Sequence, residues 1–285
     1  MVRLGLTSEE YGWGRAARCS VDHGRTHRIL HGIVDGTAAQ PDRASPARIT
    51  VLTGAGVSTD SGIPDFRGPD GVWTKSPGAE KLFDIDTYLG DPEIRQRSWL
   101  ARRQNPAWGA EPNAAHRALV ELERRGALRA LVTQNIDRLH QKAGSSPDLV
   151  LELHGNMIEA ICTACGAGSL TQAALDRVDA GDPDPHCLVC GGLIKTATVM
   201  FGQALDRTIL DAATQAAADC RWFVAVGTSL LVQPAADLCN VAVRSGAHLV
   251  IVNAEPTPYD HLATRLVREP IGTVLPALLV ELESA

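Results

Sequence analysis

The 285-residue sequence lacks several features that would each define a class of protein. No uninterrupted apolar run approaches the roughly 20 residues that a membrane-spanning helix needs, so a transmembrane reading fails and no membrane partner is expected. No long block of lysine and arginine is present and the formal charge is −6, which argues against a sequence-independent nucleic-acid binder. That sign fits cationic, lysine-bearing partners better, although such a modest charge mainly favours solubility. Met1 to Tyr11 have no cationic start, apolar core and small-residue cleavage site, so no secretory signal is read and cytoplasmic residence is expected. Internal repeats and low-complexity tracts are also missing. What is present, 45% hydrophobic and 21% charged residues, suits one sizeable α/β domain with a small insertion, or two modest domains.

Residues 1–46 hold glycines, histidines and small residues without sustained periodicity and end in a turn-rich stretch. They are read as a poorly ordered N-terminal extension, with a short helix around Arg25 to Val34 as its one candidate element. From Ala47 the character changes. Arg48 to Leu52, Leu131 to Asn135, Leu149 to His154, Trp222 to Ser229 and His248 to Glu255 are near-continuous apolar runs that each end in polar residues. Helical stretches such as Ala114 to Arg124 and Leu205 to Asp219 lie between them. Apolar runs without alternation are expected of parallel strands covered on both faces, so the fold class is α/β: a Rossmann-like, doubly wound parallel sheet. Ligands of such sheets bind beyond the carboxyl ends of the strands, where the polar clusters would gather into one crevice. Two stretches break the rhythm, a Trp-, Pro- and Gly-containing helical and loop insertion over about 71–112, and a cysteine-bearing segment over 156–197. The catalytic domain is thus expected over 47–155 and 198–285.

The sequence has seven cysteines, and four of them stand as Cys162-x-x-Cys165 and Cys187-x-x-Cys190. In a chain without a leader this spacing points to metal before disulfides. Four thiolates complete a tetrahedral set, so one closed, structural Zn2+ in a small zinc-ribbon module is expected, with no open position for catalysis. Cys220 and Cys239 read as core residues, His186 as a neighbour of the site or exposed, and Cys19 has no role.

Gly54-Ala55-Gly56 follows the first strand. Glycine there lets backbone N–H groups approach a pyrophosphate, but a tight strand–helix turn without a ligand explains the same residues equally well. The full G-x-G-x-x-G is not present, nor is the acidic residue about 20 positions on that a dehydrogenase would have. The next residues, Val57 to Gly68, form a polar, glycine-rich excursion longer than a strand–helix link requires. Over Gly54 to Arg67 the sequence resembles the sirtuins, whose GAG-x-S-x-x-x-G-I-P-D-F-R pattern is present without a mismatch.

Further segments extend the resemblance from Ala47 to about Leu279. Thr133-Gln134-Asn135-Ile136-Asp137-Arg138-Leu139-His140 looks like the second sirtuin motif, although Asn135 or Asp137 could simply cap a helix. Val226 to Leu230 and Val252 to Pro256 match later strand ends. The resemblance implies that Gly54, Ala55, Gly56 and Thr59 lie along the NAD phosphates. It further implies that Asp65, Phe66 and Arg67 sit on a loop closing over the nicotinamide ribose, where Phe66 keeps water from a reactive sugar centre. Gln134 and Asn135 would serve ribose hydroxyls and an ordered water, and Ile136 and Asp137 the nicotinamide carboxamide. Gly227, Thr228, Ser229, Asn253 and Glu255 would serve phosphate and the adenosine half. Val199, Phe201, Gly202 and Val232 would sandwich the substrate peptide as an added strand.

In this family the histidine of the pair His154-Gly155 is the general base, and the resemblance assigns catalysis to His154 with Asn135. It implies attack of the acyl-lysine oxygen on the nicotinamide-ribose carbon, loss of nicotinamide, deprotonation of a ribose hydroxyl by His154, and release of lysine and O-acyl-ADP-ribose. An imidazole with a reference pKa near 6.5 suits that task. His116 and His140 are weaker candidates, read as helix residues with structural partners. An NAD-dependent protein-lysine deacetylase acting on acylated-lysine proteins is therefore expected. The alternatives are a mono-ADP-ribosyltransferase and a non-catalytic NAD or ADP-ribose sensor. Relatives that prefer acidic acyl groups carry Tyr-x-x-Arg where this chain has Trp99-Leu100-Ala101-Arg102, so acetyl-lysine is the expected substrate. The family's usual Glu is Gln203 here, which bears on peptide preference.

Overall fold

A computed structural model describes residues 48–285 apart from Asp70 and Pro77. The expected extension, its short helix and Cys19 lie outside the described residues. The strands are β1 (Ile49–Thr53), β2 (Leu128–Thr133), β3 (Val150–Glu152), β4 (Gly155–Cys162), β5 (Gly168–Leu170), β6 (Ile194–Thr198), β7 (Trp222–Val226), β8 (His248–Val252) and β9 (Arg265–Val267). Six of them form one parallel sheet in the order β3-β2-β1-β7-β8-β9. The chain fills one side of β1 and then returns to fill the other, so the strand order reverses between β1 and β7. That reversal is where an open α/β sheet leaves its ligand crevice.

The helices are α1 (Val72–Lys75), α2 (Ile85–Gly90), α3 (Pro92–Arg103), α4 (Ala114–Arg124), α5 (Leu139–Ala143), α6 (Thr171–Asp179), α7 (Arg207–Ala218), α8 (Leu238–Arg244) and α9 (Ile271–Ser284). Alternate strand residues feed two cores. Val51, Val224 and Val250 pack with Leu119 and Leu122 of α4 and Leu275, Leu278 and Leu282 of α9. Leu52, Ala225 and Ile251 pack on the opposite face with Ala213 and Ala217 of α7 and Leu238 and Ala242 of α8. Burial on both faces is why these strands read as unbroken apolar runs. At about 25 cal/mol per Å2 of apolar surface, such burial is the main force holding the helices on the sheet. Caps set the helix starts: Asn113 accepts from Ala115 and His116 N–H at α4, and Asp206 accepts from Ile209 N–H at α7.

Two boundaries and one strand differ from the sequence reading. β2 begins at Leu128, earlier than the apolar run suggested, and α7 spans Arg207–Ala218 rather than Leu205 to Asp219. The edge strand β9 went unpredicted, because three residues with an exposed Leu266 carry too little pattern.

The cysteine-bearing segment forms an antiparallel sheet, β5-β4-β6, with α6 beside it. The insertion preceding α4 is not separate from it. Trp99 of α3 is fully buried with Cys162, Ala174, Leu175, Cys187 and Ile194. Arg95 forms a buried ion pair with Asp184 at 2.8 Å, and the Tyr88 hydroxyl donates to the Ile194 carbonyl at 2.7 Å. Among the described residues, no helix is long and apolar enough to cross a membrane.

Candidate active site and metal centre

The residues just past β1, β2, β3, β7 and β8 converge on one cleft of about 480 Å3. Gly54 to Gly56, Gln134, Asn135, His154, Gly227 to Ser229, Asn253 and Glu255 all line it. So do Asp65, Phe66 and Arg67 from the polar excursion, and Val199, Phe201, Gly202 and Val232 from the segments expected to hold peptide. A volume in this range suits a small-molecule ligand.

The glycines have a reason beyond ligand approach. A Cβ on Gly54 would stand 2.7 Å from Gly227 O and from Thr228 Cβ, and one on Gly56 would stand 2.8 Å from Gly227 Cα. Gly54 N–H donates to Val226 O at 3.0 Å and Gly56 N–H to Gly227 O at 2.9 Å. The two strand ends therefore interlock at the switch point, and these two N–H groups are committed to the fold rather than offered to a phosphate. Gly227 itself has φ +60°, a left-handed conformation that favours glycine.

His154 lies in the turn after β3. Its Nδ1 is 3.1 Å from the Gln134 carbonyl, and a carbonyl only accepts, so Nδ1 carries the proton and Nε2 keeps its lone pair. Burial lowers the imidazole pKa from its ordinary value, and the bond to Gln134 acts in the opposite direction. Gly155 beside it has φ +66°, and a Cβ there would lie 1.9 Å from Ala197 O. Val199 N–H donates to His154 O at 2.8 Å, so the strand leaving the cysteine segment is tied to the histidine's own backbone. Gly155→Ala is expected to combine left-handed strain with a backbone collision, costing on the order of 3 kcal/mol or more of stability. Thermal melts of the purified variant check this. A melting temperature equal to that of the parent would show that the turn can relax.

Asn135 is buried, with its side-chain amide donating to Gly54 O at 3.1 Å and Ser58 Oγ at 3.2 Å. Gln134 donates to Thr228 Oγ1 at 3.0 Å. Three of the expected cofactor residues do not line the cleft. Thr59 is exposed and donates to Gly56 O, and Ile136 offers its carbonyl to Met157 N–H. Asp137 accepts from Ser58 Oγ at 2.7 Å and, as a helix cap would, from Leu139 N–H at 2.9 Å. Burial raises its carboxyl pKa, while these bonds oppose the rise.

Sequence reasoning missed part of one wall. Phe66 meets Trp73 at a tilt at 5.0 Å and Phe83 edge-on at 5.9 Å, Trp73 meets Phe201 at 5.8 Å, and Arg67 lies 4.4 Å over the Trp73 ring. These aromatics come from three separated segments with no shared local pattern, so only their rarity in this sequence could have pointed to them.

The four motif cysteines meet at the tips of two loops. Their Sγ atoms all lie within 4.8 Å of one another, with Cys162 to Cys190 at 3.6 Å and Cys165 to Cys187 at 3.8 Å. Zn–S bonds of about 2.3 Å in a tetrahedron imply sulfur–sulfur edges near 3.8 Å, so the donor set fits zinc. Val189 N–H donates to Cys187 Sγ and Gly192 N–H to Cys190 Sγ, as backbone around a thiolate does. Cys239 is buried in the core as expected, Cys220 is half-buried, and His186 is exposed with Nδ1 2.9 Å from Gly191 O.

Comparison with known proteins agrees with this arrangement. A model of the Sir2 family matches residues 54–234. The NAD-dependent protein deacetylase 2 of Streptomyces coelicolor is 59% identical over 81% of this chain and 96% of its own. A Thermotoga maritima NAD-dependent protein deacetylase is 42% identical over 78% of this chain and 89% of its own. A solved Sir2 structure with a p53 peptide and NAD+ superposes with a TM-score of 0.74 at 36% identity, covering 84% of this chain and 95% of that one. The family model and these relatives each cover more than half of the chain, and the chain belongs to the Sir2 family.

Proposed function

We propose that the chain is an NAD-dependent protein-lysine deacetylase, which moves the acyl group of an acylated lysine onto ADP-ribose and releases nicotinamide. The observation that carries this reading is His154, fixed by Gln134 so that a neutral Nε2 is its free ring nitrogen in the cleft where the strand tips meet. NAD supplies the sugar that receives the acyl group. Against it, Asn135 and Gln134 present side-chain amides, and the aromatic wall around Phe66 excludes water from the reacting centre. His154 takes the proton of a ribose hydroxyl through Nε2. The substrate strand lies between Gly202 and Val232. Val199, Met200 and Phe201 N–H already donate to His154 O, Gln203 Oε1 and Phe83 O, so the described bonds leave Gly202 and Val232 to pair with it. Gln203 keeps a loop-closing bond as an uncharged amide.

Acetyl-lysine fits best. Trp99 is buried against the cysteine sheet, and Arg102 donates to Thr196 Oγ1 and the Ser98 carbonyl, so its guanidinium is committed away from the cleft lining. Incubation with NAD and matched peptides tests both parts. Nicotinamide release is expected only with the acylated peptide and faster with acetyl than succinyl. A mono-ADP-ribosyltransferase would release nicotinamide with the unacylated peptide as well, and a sensor would release none. Equal turnover of succinyl-lysine would overturn the acyl assignment. The reading places the enzyme in the cytoplasm, and its structural zinc would be held by Cys162, Cys165, Cys187 and Cys190.

A further inference from the structure

Hydrogen bonds behind the cleft floor continue past the site into one buried histidine, His140, whose ring packs against a second, His116. Asn135 N–H donates to Thr133 Oγ1 at 3.0 Å, and the same oxygen accepts from Thr53 Oγ1 at 2.9 Å. The Thr53 proton is then committed, so the 3.0 Å contact between Thr53 Oγ1 and His140 Nε2 requires the imidazole to donate. His140 is therefore the Nε2–H tautomer, and its Nδ1 is an unprotonated acceptor.

The neighbouring ring is His116, 4.9 Å away between centroids and inclined at 52°. The Asn113 backbone N–H donates to His116 Nδ1 at 3.3 Å, closing the capping box of α4. Nδ1 also lies 3.0 Å from Asn113 Oδ1, but that oxygen already accepts from Ala115 and His116 N–H. The Asn113 amide cannot turn over, because its Nδ2 donates to Val57 O and Ser61 Oγ. Satisfying the buried Asn113 N–H leaves His116 Nδ1 unprotonated and puts the ring proton on Nε2. The two side-chain nitrogens without a protein partner in this pair are His116 Nε2, a donor, and His140 Nδ1, an acceptor. Both residues are essentially inaccessible to solvent, at 0% and 1% exposure, and a buried unmade hydrogen bond is costly.

We infer that His140 is a positioning residue: a neutral imidazole, packed against the neutral ring of His116, whose Nε2–H bond fixes Thr53 and Thr133 and through them the backbone of Asn135. No proton moves along the series. Each link sets the donor–acceptor sense of the next, from the His140 Nε2–H to the Thr133 oxygen that receives Asn135. Burial holds His140 down to about 3 and His116 to about 4, so both stay uncharged at neutral pH. The inference rests on Asn135 working in the deacetylase cleft, but its structural half is testable without any activity.

Nitrogen-15 spectra of the full-length protein with labelled histidine, at pH 7, are expected to show both rings neutral with the proton on Nε2. An Nδ1–H tautomer or an imidazolium at either ring overturns the assignment. His140→Phe fills the space without a donor and is expected to lower kcat about tenfold with little change in the peptide KM. His140→Gln, whose amide can still donate to Thr53, is expected to recover most of that loss. Thr53→Val, nearly the same shape, gives the same loss and adds little in the His140→Phe background, since the residues act in series. Full kcat in Thr53→Val, or losses that multiply in the double variant, would remove the positioning role even if His140→Phe does not fold.

Discussion

Replacing His154 with alanine is expected to leave a folded, zinc-bearing protein that takes up NAD and has lost deacetylation by about two orders of magnitude or more. The side chain's one described hydrogen bond is to the Gln134 carbonyl, so its removal leaves an acceptor at the edge of an open cleft, where water can replace the imidazole. Stability should change little, whereas the proton acceptor for the ribose hydroxyl is gone. The parent's pH profile carries the same information. Because burial lowers the imidazole pKa, the unprotonated base persists below the ordinary value near 6.5, and the acid limb of kcat/KM should fall at lower pH than a free histidine would give. Calorimetry of NAD binding beside single-turnover product analysis separates the two effects. Near-parental turnover by His154→Ala would leave the cleft without its assigned base.

Removal of the metal is the second large effect. The purified protein is expected to hold one tightly bound zinc ion, and Cys187→Ser or strong chelation to release it. Binding of structural zinc supplies roughly 10–16 kcal/mol in small zinc-finger peptides, which exceeds the whole stability of many domains. The sheet packs on Trp99, but the loop between Cys187 and Cys190 has little else to hold it, since Leu188 and Val189 are exposed. Loss of the ion should therefore melt the cysteine loops and loosen the ends of β4 and β6 that carry them, and turnover follows because Val199 is bonded to His154 O. Elemental analysis with a melting curve tests this: a metal-free protein with the parental melting temperature would make the four thiols incidental.

Much of this was legible in the residues. β1, β7 and β8 were marked by Val- and Ile-rich runs that end in glycine or polar residues, and the cysteine spacing announced its own ligand set. His154 gained meaning from standing at a strand end. Other features left no local trace. The packing of Trp99 on the cysteine sheet joins residues separated by about 60–100 positions, and no window of sequence records it. The mutual wedging of Gly54, Gly56 and Gly227 is equally nonlocal. Thr59, Ile136 and Asp137 belong to cleft-forming motifs, yet backbone direction turns Thr59 to solvent and ties Ile136 and Asp137 to neighbouring protein groups, which a motif cannot reveal. His116 and His140 looked like ordinary helix residues, because the tautomer of one depends on a threonine from a different strand.

The anchoring of α3 on the metal-holding sheet gives this enzyme an inheritance constraint. Arg95, Trp99 and Arg102 each grip the neighbouring lobe, so the helix that would discriminate between acyl tails serves as that lobe's inner wall. A lineage exploring new acyl tastes through this helix would have to repack its neighbour at the same step.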